Sequence, residues 1–254
     1  MDIPFVVVPL YMYPLPGAWD PLFANALAHP DILFLAIVNP NNGPGRGALP
    51  DAMYRAALRE LDAVSNIRPL GYVHCSYGRR GLDAVTADID RYRAWNTNAK
   101  QSMRLEGIFF DEAPSEASKL KYMETATQYA RDTWRCNLER QAHVVQNPGV
   151  VVPHDYFAQA DHVVVFEQAE SHWARQSIKQ DLSQISTDDR RKAVAIVHSC
   201  GKARDSLTKL VREMKHLGFG GLYLTEQMGG GYSGWPEHLG HVVAVVAESQ
   251  ELSQ

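Results

Sequence analysis

The sequence is short of cysteine, of basic clusters and of long apolar runs. Its three cysteines, Cys75, Cys136 and Cys200, are too few and too scattered for a disulfide framework. None stands in a C-x-x-C pair, so thiolate zinc and thiol redox chemistry lack their residues. There is no block of Lys and Arg and the net charge is −4, which removes the electrostatic footprint of a nucleic-acid binder. No apolar stretch approaches the roughly 18 residues of a membrane span. Also missing are an N-x-S/T sequon, a G-x-G-x-x-G after the first apolar run, a G-x-S-x-G elbow and any H-x-H or H-x-x-x-H pair. These absences argue against N-glycosylation, a dinucleotide fold, a serine hydrolase and a paired-histidine metal site. The opening MDIPFVVVPLYMYP has no basic segment before its apolar stretch, and prolines at 4, 9, 14 and 16 break it. It reads as a first strand rather than a signal peptide, so the protein is intracellular or a leader was removed before this numbering.

What the sequence does hold is a regular succession of short apolar runs. They are 5–10, 33–38, 70–75, 107–110, 143–146, 162–166, 193–197 and 221–225. Each is near-continuously apolar rather than alternating, as in strands buried on both faces of a parallel sheet. Segments of helical period lie between them: 21–29, 51–64, 82–95, 115–134 and 203–217. In the last, Leu207, Leu210, Val211, Met214 and Leu217 form one stripe. Most strand starts are spaced as βα units of about 30 residues, and eight such units make a (β/α)8 barrel of ~250 residues. The exception is the interval from 143 to 162, which leaves room only for a stub of helix near 153–160. With no repeat, low-complexity tract or linker, residues 1–254 are expected to form one α/β domain, a single (β/α)8 TIM barrel, and to act as a monomer.

In such barrels the reactive groups come from the C-terminal strand ends and the loops after them. Those ends carry Tyr11 and Tyr13, Asn39, His74 and Tyr77, Asp111 and Glu112, Asn147, Glu167, His198, and Glu226. The sharpest feature is G-I-F-F-D-E at 107–112, an apolar strand ending in two acids, followed two strands later by V-V-V-F-E with Glu167 at the equivalent end. Carboxylates are costly there unless they face a solvated pocket. Two carboxylates flanking a cleft are the minimum equipment of a glycoside hydrolase: one protonates the leaving oxygen and the other attacks the anomeric carbon or activates water. The same acids could instead cap helices or pair with loop arginines such as Arg79 or Arg175. Asp111 and Glu112 are adjacent, so strand alternation allows only one of them to reach into the barrel mouth.

Aromatic residues in the presumed loops (Tyr11, Tyr13, Tyr77, Trp173, Tyr232 and Trp235) suit the apolar faces of sugar rings, with loop packing the alternative for each. The segment 228–236, M-G-G-G-Y-S-G-W-P, carries Tyr232 and Trp235 on a glycine-rich stretch after the last strand and reads as a lid or subsite wall. His74 and His198 could bind a metal with Asp111, but a hydrogen-bonding role toward substrate is the preferred reading. No metal or organic cofactor is expected. Cys75 and Cys200 are expected to pack.

Several of these stretches together resemble the spherulin-4 family, classed as glycoside hydrolase family 135. They are G-I-F-F-D-E, V-V-V-F-E-Q, V-P-L-Y-x-Y-P at 8–14, I-V-N-P-x-N-G-P-G at 37–45, G-Y-V-x-x-x-Y-G at 71–78 and the tail after strand 8. The resemblance runs from about Pro4 to Val246. It implies a (β/α)8 endo-acting hydrolase of α-1,4-linked N-acetylgalactosamine in an amino-sugar polysaccharide such as galactosaminogalactan. It implies Asp111 as nucleophile, Glu167 as general acid/base and Glu112 in support. It also implies a secreted or cell-surface location, although no leader is evident here. Two other readings stand beside it: a non-catalytic carbohydrate-binding coat protein on the same barrel, and a metal-dependent deacetylase built on Asp111, His74 and His198.

Overall fold

The computed structural model describes residues 4–98, 103–229 and 231–248. The chain runs β1 (Phe5–Leu10), α1 (Asp20–Ala28), β2 (Phe34–Val38), α2 (Ala52–Asp62), β3 (Ile67–His74), α3 (Leu82–Asn96), β4 (Gly107–Asp111) and α4 (Leu120–Leu138). It continues β5 (His143–Gln146), α5 (His154–Gln159), β6 (His162–Ala169), α6 (Glu170–Trp173), α7 (Gln176–Ser183), α8 (Thr187–Arg190), β7 (Ala193–His198), α9 (Arg204–His216), β8 (Gly221–Leu224) and α10 (Leu239–Ala247). All eight strands pair in parallel with their sequence neighbours, and β8 closes onto β1. The fold is the (β/α)8 barrel expected from the strand spacing. The short interval after β5 holds the six residues of α5, whereas three short helices, α6 to α8, fill the stretch between β6 and β7.

Successive side chains on a strand point to opposite faces, and the barrel sorts them into two separate apolar layers. Val7, Ile37, Tyr72, Phe109, Val145, Val164, Ile196 and Tyr223, one from each strand, fill the interior. Their neighbours Val8, Val38, Val73, Phe110, Val144, Val197 and Leu224 face the helices. This alternation sends Asp111 inward, two residues after Phe109.

β6 breaks the alternation. Its register against β7 shifts between Val164 and Phe166. Val164 faces the interior, but Val165 and Phe166 both belong to the outer layer, where the Phe166 ring meets Trp173 edge-on at 5.0 Å between centroids. A bulge of this kind inserts one residue and reverses the facing of everything after it. Strict alternation from Val164 would have sent Phe166 inward and Glu167 outward; the bulge turns Glu167 into the barrel mouth. Trp173, expected in a loop, is instead buried against Phe166 and Phe219 and donates to Glu213. Cys75 and Cys200 are buried, as expected.

The glycine at the start of β4 is there for lack of space. A Cβ on Gly107 would lie 1.9 Å from the His143 carbonyl oxygen of the adjacent strand. Gly107→Ala is therefore expected to destabilise the barrel by about 3 kcal/mol, the upper end of overpacking costs, because the obstacle is backbone. Urea denaturation would read this as a lowered midpoint with unchanged slope, and a wild-type midpoint would contradict it.

Candidate functional site

The C-terminal mouth of the barrel is where the backbone is most strained. Of the non-glycine residues at positive φ, Asn42, Ser76, Tyr77, Glu112, Ser199 and Tyr232 all lie in loops that follow strands, while Glu139 closes a helix. Such conformations cost of order 1 kcal/mol or more each and concentrate at functional sites. Glu112 (φ 48°) follows Asp111 directly, so the chain turns out of the strand between the two acids. Its carbonyl accepts from the Tyr77 amide at 2.7 Å, which ties the turn after β3 to the end of β4.

Two acids meet in the mouth, and one amide nitrogen joins them. Asn147 Nδ2 donates to Asp111 Oδ1 at 2.7 Å and to Glu167 Oε2 at 2.5 Å. The remaining carboxylate oxygens also accept: Tyr72 donates to Asp111 Oδ2 at 2.7 Å, and Tyr232 to Glu167 Oε1 at 2.6 Å. Both amide hydrogens of Asn147 are thus spent, one on each acid, and this fixes which end of its side chain is nitrogen. Its own oxygen is buried with no hydrogen-bond partner among the described residues.

The backbone explains why Asn147 can hold this position. Its N–H donates to Phe110 at 2.8 Å, and its carbonyl accepts from Ala113 at 2.9 Å, so it is pinned to both sides of the Asp111–Glu112 pair. Pro148 and Gly149 then turn the chain, with Gly149 at φ 69°, a conformation open to glycine. Gly149 donates to Val164 at 3.1 Å and accepts from the Glu167 amide at 3.0 Å, bracketing the bulge of β6. The Asn-Pro-Gly turn at the end of β5 therefore locks the acid strands on both sides of it.

Aromatic rings surround the pair. Tyr11 lies edge-on to Tyr72 at 5.6 Å and tilted against Tyr232 at 6.0 Å, and Tyr232 lies edge-on to Tyr223 at 5.7 Å. Burial, reinforced by the charges of Asp111 and Glu167, pushes the Tyr11, Tyr72 and Tyr232 hydroxyls well above the usual phenol range, so they stay donors. Burial also raises the pKa of Glu167, and the neighbouring Asp111 adds to the rise; the donors Tyr232 and Asn147 oppose it. An acid held above its ordinary range beside a second carboxylate is the pattern of a split acid and nucleophile pair.

The structure brings Tyr11, Asp111, Asn147, Glu167 and Tyr232 together. Glu112 stands beside them, half-buried, with no side-chain hydrogen bond or ion pair among the described residues. His74 sits next to Asp111 in the β3–β4 register, its Nδ1 3.0 Å from the Asn42 carbonyl. His198 ends β7 with Nδ1 3.0 Å from Ser199 Oγ, and burial, with nearby His172, lowers its pKa. Tyr77 is exposed at the rim, under the Arg79 guanidinium. Asn39 accepts from the Gly43 amide at 2.9 Å and shapes the loop after β2. Three others serve loop packing: Tyr13 donates to Asp51 away from the acids, Glu226 accepts from the Glu237 amide, and Trp235 donates to the Ala18 carbonyl. Tyr232, expected in a lid or subsite wall, is buried at the acids; Gly230 of its loop lies outside the described residues. Tyr72 and Tyr223 were not singled out by sequence. The available signal was the phase of β3, which sets Tyr72 one pleat below His74. Among the described residues, no group of three or more His, Cys, Asp or Glu side chains is arranged to hold a metal ion.

Replacing the bridging donor by an acceptor tests the bridge. In Asn147→Asp three carboxyl groups share one half-buried site, and one of them must take up a proton. A carboxyl whose folded pKa is raised supports stability below that pKa and loses it as pH rises. The variant is expected to lose about 3 kcal/mol at pH 7 and to regain much of it near pH 5. Thermal melts at the two pH values would check this, and an equal deficit at both would contradict it.

Comparison with known proteins places the chain. The profile of the spherulation-specific family 4 (Spherulin4) matches residues 5–246. Spherulin-4 of Physarum polycephalum is 36% identical over 167 residues, 66% of this chain and 46% of that protein, so the chain spans less than half the length of this curated relative. The crystal structure of Aspergillus clavatus Sph3 in complex with GalNAc superposes with a TM-score of 0.88 at 32% identity, covering 97% of this chain and 98% of that one. A chitinase from Bacteroides thetaiotaomicron shares the fold at a TM-score of 0.60 and 10% identity, over 96% of each chain. The barrel described here belongs to the spherulation-specific family 4.

Proposed function

We propose that this chain is a retaining, endo-acting glycoside hydrolase that cleaves α-1,4-linked N-acetylgalactosamine-containing polysaccharide of the galactosaminogalactan type. Family membership and the likeness to a GalNAc-binding Sph3 support a carbohydrate-active barrel and an amino-sugar ligand. The observation that carries the mechanism is the Asn147 bridge. Two carboxylate oxygens within 2.7 and 2.5 Å of one nitrogen are at most about 5 Å apart. That upper limit lies nearer the ~5–5.5 Å spacing of a retaining pair than the ~6.5–9.5 Å of an inverting one, and supports the retaining reading.

In this reading Asp111 is the nucleophile. Its carboxylate plane is held by Tyr72 and Asn147, and one oxygen attacks the anomeric carbon as the bond to the leaving oxygen breaks. Glu167, whose pKa burial and Asp111 raise, acts as the acid and gives its proton to that leaving oxygen. The result is a glycosyl ester on Asp111 and a carboxylate on Glu167. Glu167 then takes a proton from water as the water oxygen attacks the same carbon and frees Asp111. The half-buried ring of Tyr11 lies at the acids where a sugar ring could rest on it, and Glu112, Asn39, His74, Tyr77 and His198 surround the mouth with groups able to hydrogen-bond sugar hydroxyls and the acetamide.

Incubation with purified galactosaminogalactan, with products read by mass spectrometry, tests the reading. Wild type is expected to release a ladder of N-acetylhexosamine oligomers. Asp111→Asn and Glu167→Gln are each expected to reduce the rate by at least about 100-fold, since acid–base assistance alone contributes about 10²–10⁴. Polymer that is bound but never cut would favour a carbohydrate-binding protein. Cleavage that survives both substitutions would move the chemistry elsewhere.

A further inference from the structure

The hydrogen bonds around Glu167 say where its proton can sit. Both carboxylate oxygens face a donor: Asn147 Nδ2 at Oε2 and the Tyr232 hydroxyl at Oε1. An amide nitrogen donates only, so Asn147 can hold a bare Oε2 but cannot accept a proton carried on it. A hydroxyl both donates and accepts, and rotation about its C–O bond exchanges the two roles. Tyr232 is also well held: it is 3% exposed, its ring packs against Tyr11 and Tyr223, and it takes a positive φ that non-glycine residues seldom adopt.

We propose that Tyr232 is the positioning residue of the acid: it keeps the exchangeable proton on Oε1 by accepting from it, and donates to that same oxygen once the proton has gone. The inference rests on the hydrolase reading only for its consequence in catalysis; the location of the proton follows from the hydrogen bonds themselves. Asn147 then has one function through both half-reactions, holding Oε2 and Asp111 Oδ1 still while the chemistry at Oε1 alternates.

The groups around Glu167 are Asp111 from β4, Tyr11 from the end of β1, Tyr72 from β3, Tyr77 from the turn after β3 and Tyr232 from the loop after β8. The neutral Asn147 approaches from β5, and β7 sets apolar Ile196 against it in register. Among the described residues, Tyr232 and Asn147 are the two whose side chains hydrogen-bond Glu167. In Tyr232→Phe the ring packing remains and the hydroxyl is lost. The carboxylate then loses a charge-assisted donor, whereas the neutral acid loses only a weaker acceptor, so the pKa of Glu167 rises further.

The test is a ¹³C NMR titration of carboxyl-labelled glutamate, with the Glu167 resonance assigned by its absence in Glu167→Gln, paired with pH profiles of kcat/KM on the polymer. Tyr232→Phe is expected to raise the Glu167 midpoint by about 1 pH unit and to carry the alkaline limb of kcat/KM up with it. An unmoved or lowered midpoint overturns the proposal. So does activity that falls equally at every pH with the limb in place, which is what a merely structural role would give. If wild type cuts no polymer, the hydrolase reading fails, and the shift of the NMR midpoint in Tyr232→Phe still decides whether Tyr232 holds the titrating group.

Discussion

The site depends on one side-chain amide. Two carboxylates whose bridged oxygens are at most about 5 Å apart in a half-buried mouth repel each other, and the arrangement is tolerable only because donors face them. Asn147 supplies one hydrogen to each, and its backbone is fastened to β4 while the turn after it is fastened to β6. The spacing of the acids is therefore set by covalent geometry within one residue rather than by two loops that could drift apart. Tyr72 and Tyr232 donate to the remaining two oxygens.

The barrel gives this turn something rigid to hang from. Interior and exterior side chains alternate on seven strands, and Asp111 reaches the mouth by simple continuation from Phe109. β6 is the exception, and its exception is functional. The bulge at Val165 gives the outer layer two consecutive apolar residues, Val165 and Phe166, and in exchange re-aims Glu167. Gly149, free to adopt a positive φ, pairs with both flanks of the bulge and so joins a local irregularity in one strand to a tight turn in the next. The strain of the mouth, at Ser76, Tyr77, Glu112 and Ser199 among others, is carried by loops whose ends the closed sheet holds fixed.

Much of this was legible in the sequence, and what was not has physical reasons. Continuous apolar runs gave the strands because both faces are buried; the 143–146 run is β5 to the residue, and β3 starts earlier than its run because Arg68 and Pro69 do not look like strand interior. The acids stood out because carboxylates at the ends of apolar strands are rare. The bulge was invisible: V-V-V-F-E reads the same whether or not one residue is skipped. Tyr72 was hidden as one more apolar residue in a core strand, although its hydroxyl holds Asp111. Tyr232 was noticed for its glycine-rich surroundings, but only the folded chain shows that it reaches a residue 65 positions earlier. Asn147 was read as a strand-end amide facing substrate; that it bridges the acids depends on the N-P-G turn meeting β4 and β6 at once.

The spacing that Asn147 enforces has a stereochemical consequence that can be read directly. If the pair works as proposed, a covalent glycosyl intermediate forms on Asp111, and two inversions at carbon restore the starting configuration. ¹H NMR of the first products released from an α-linked amino-sugar oligomer, taken before mutarotation, would show the anomer formed. A retaining pair releases the α-anomer at early times, decaying to the equilibrium mixture. The β-anomer as first product would contradict the proposed role of the bridge, because water would then have attacked the anomeric carbon directly.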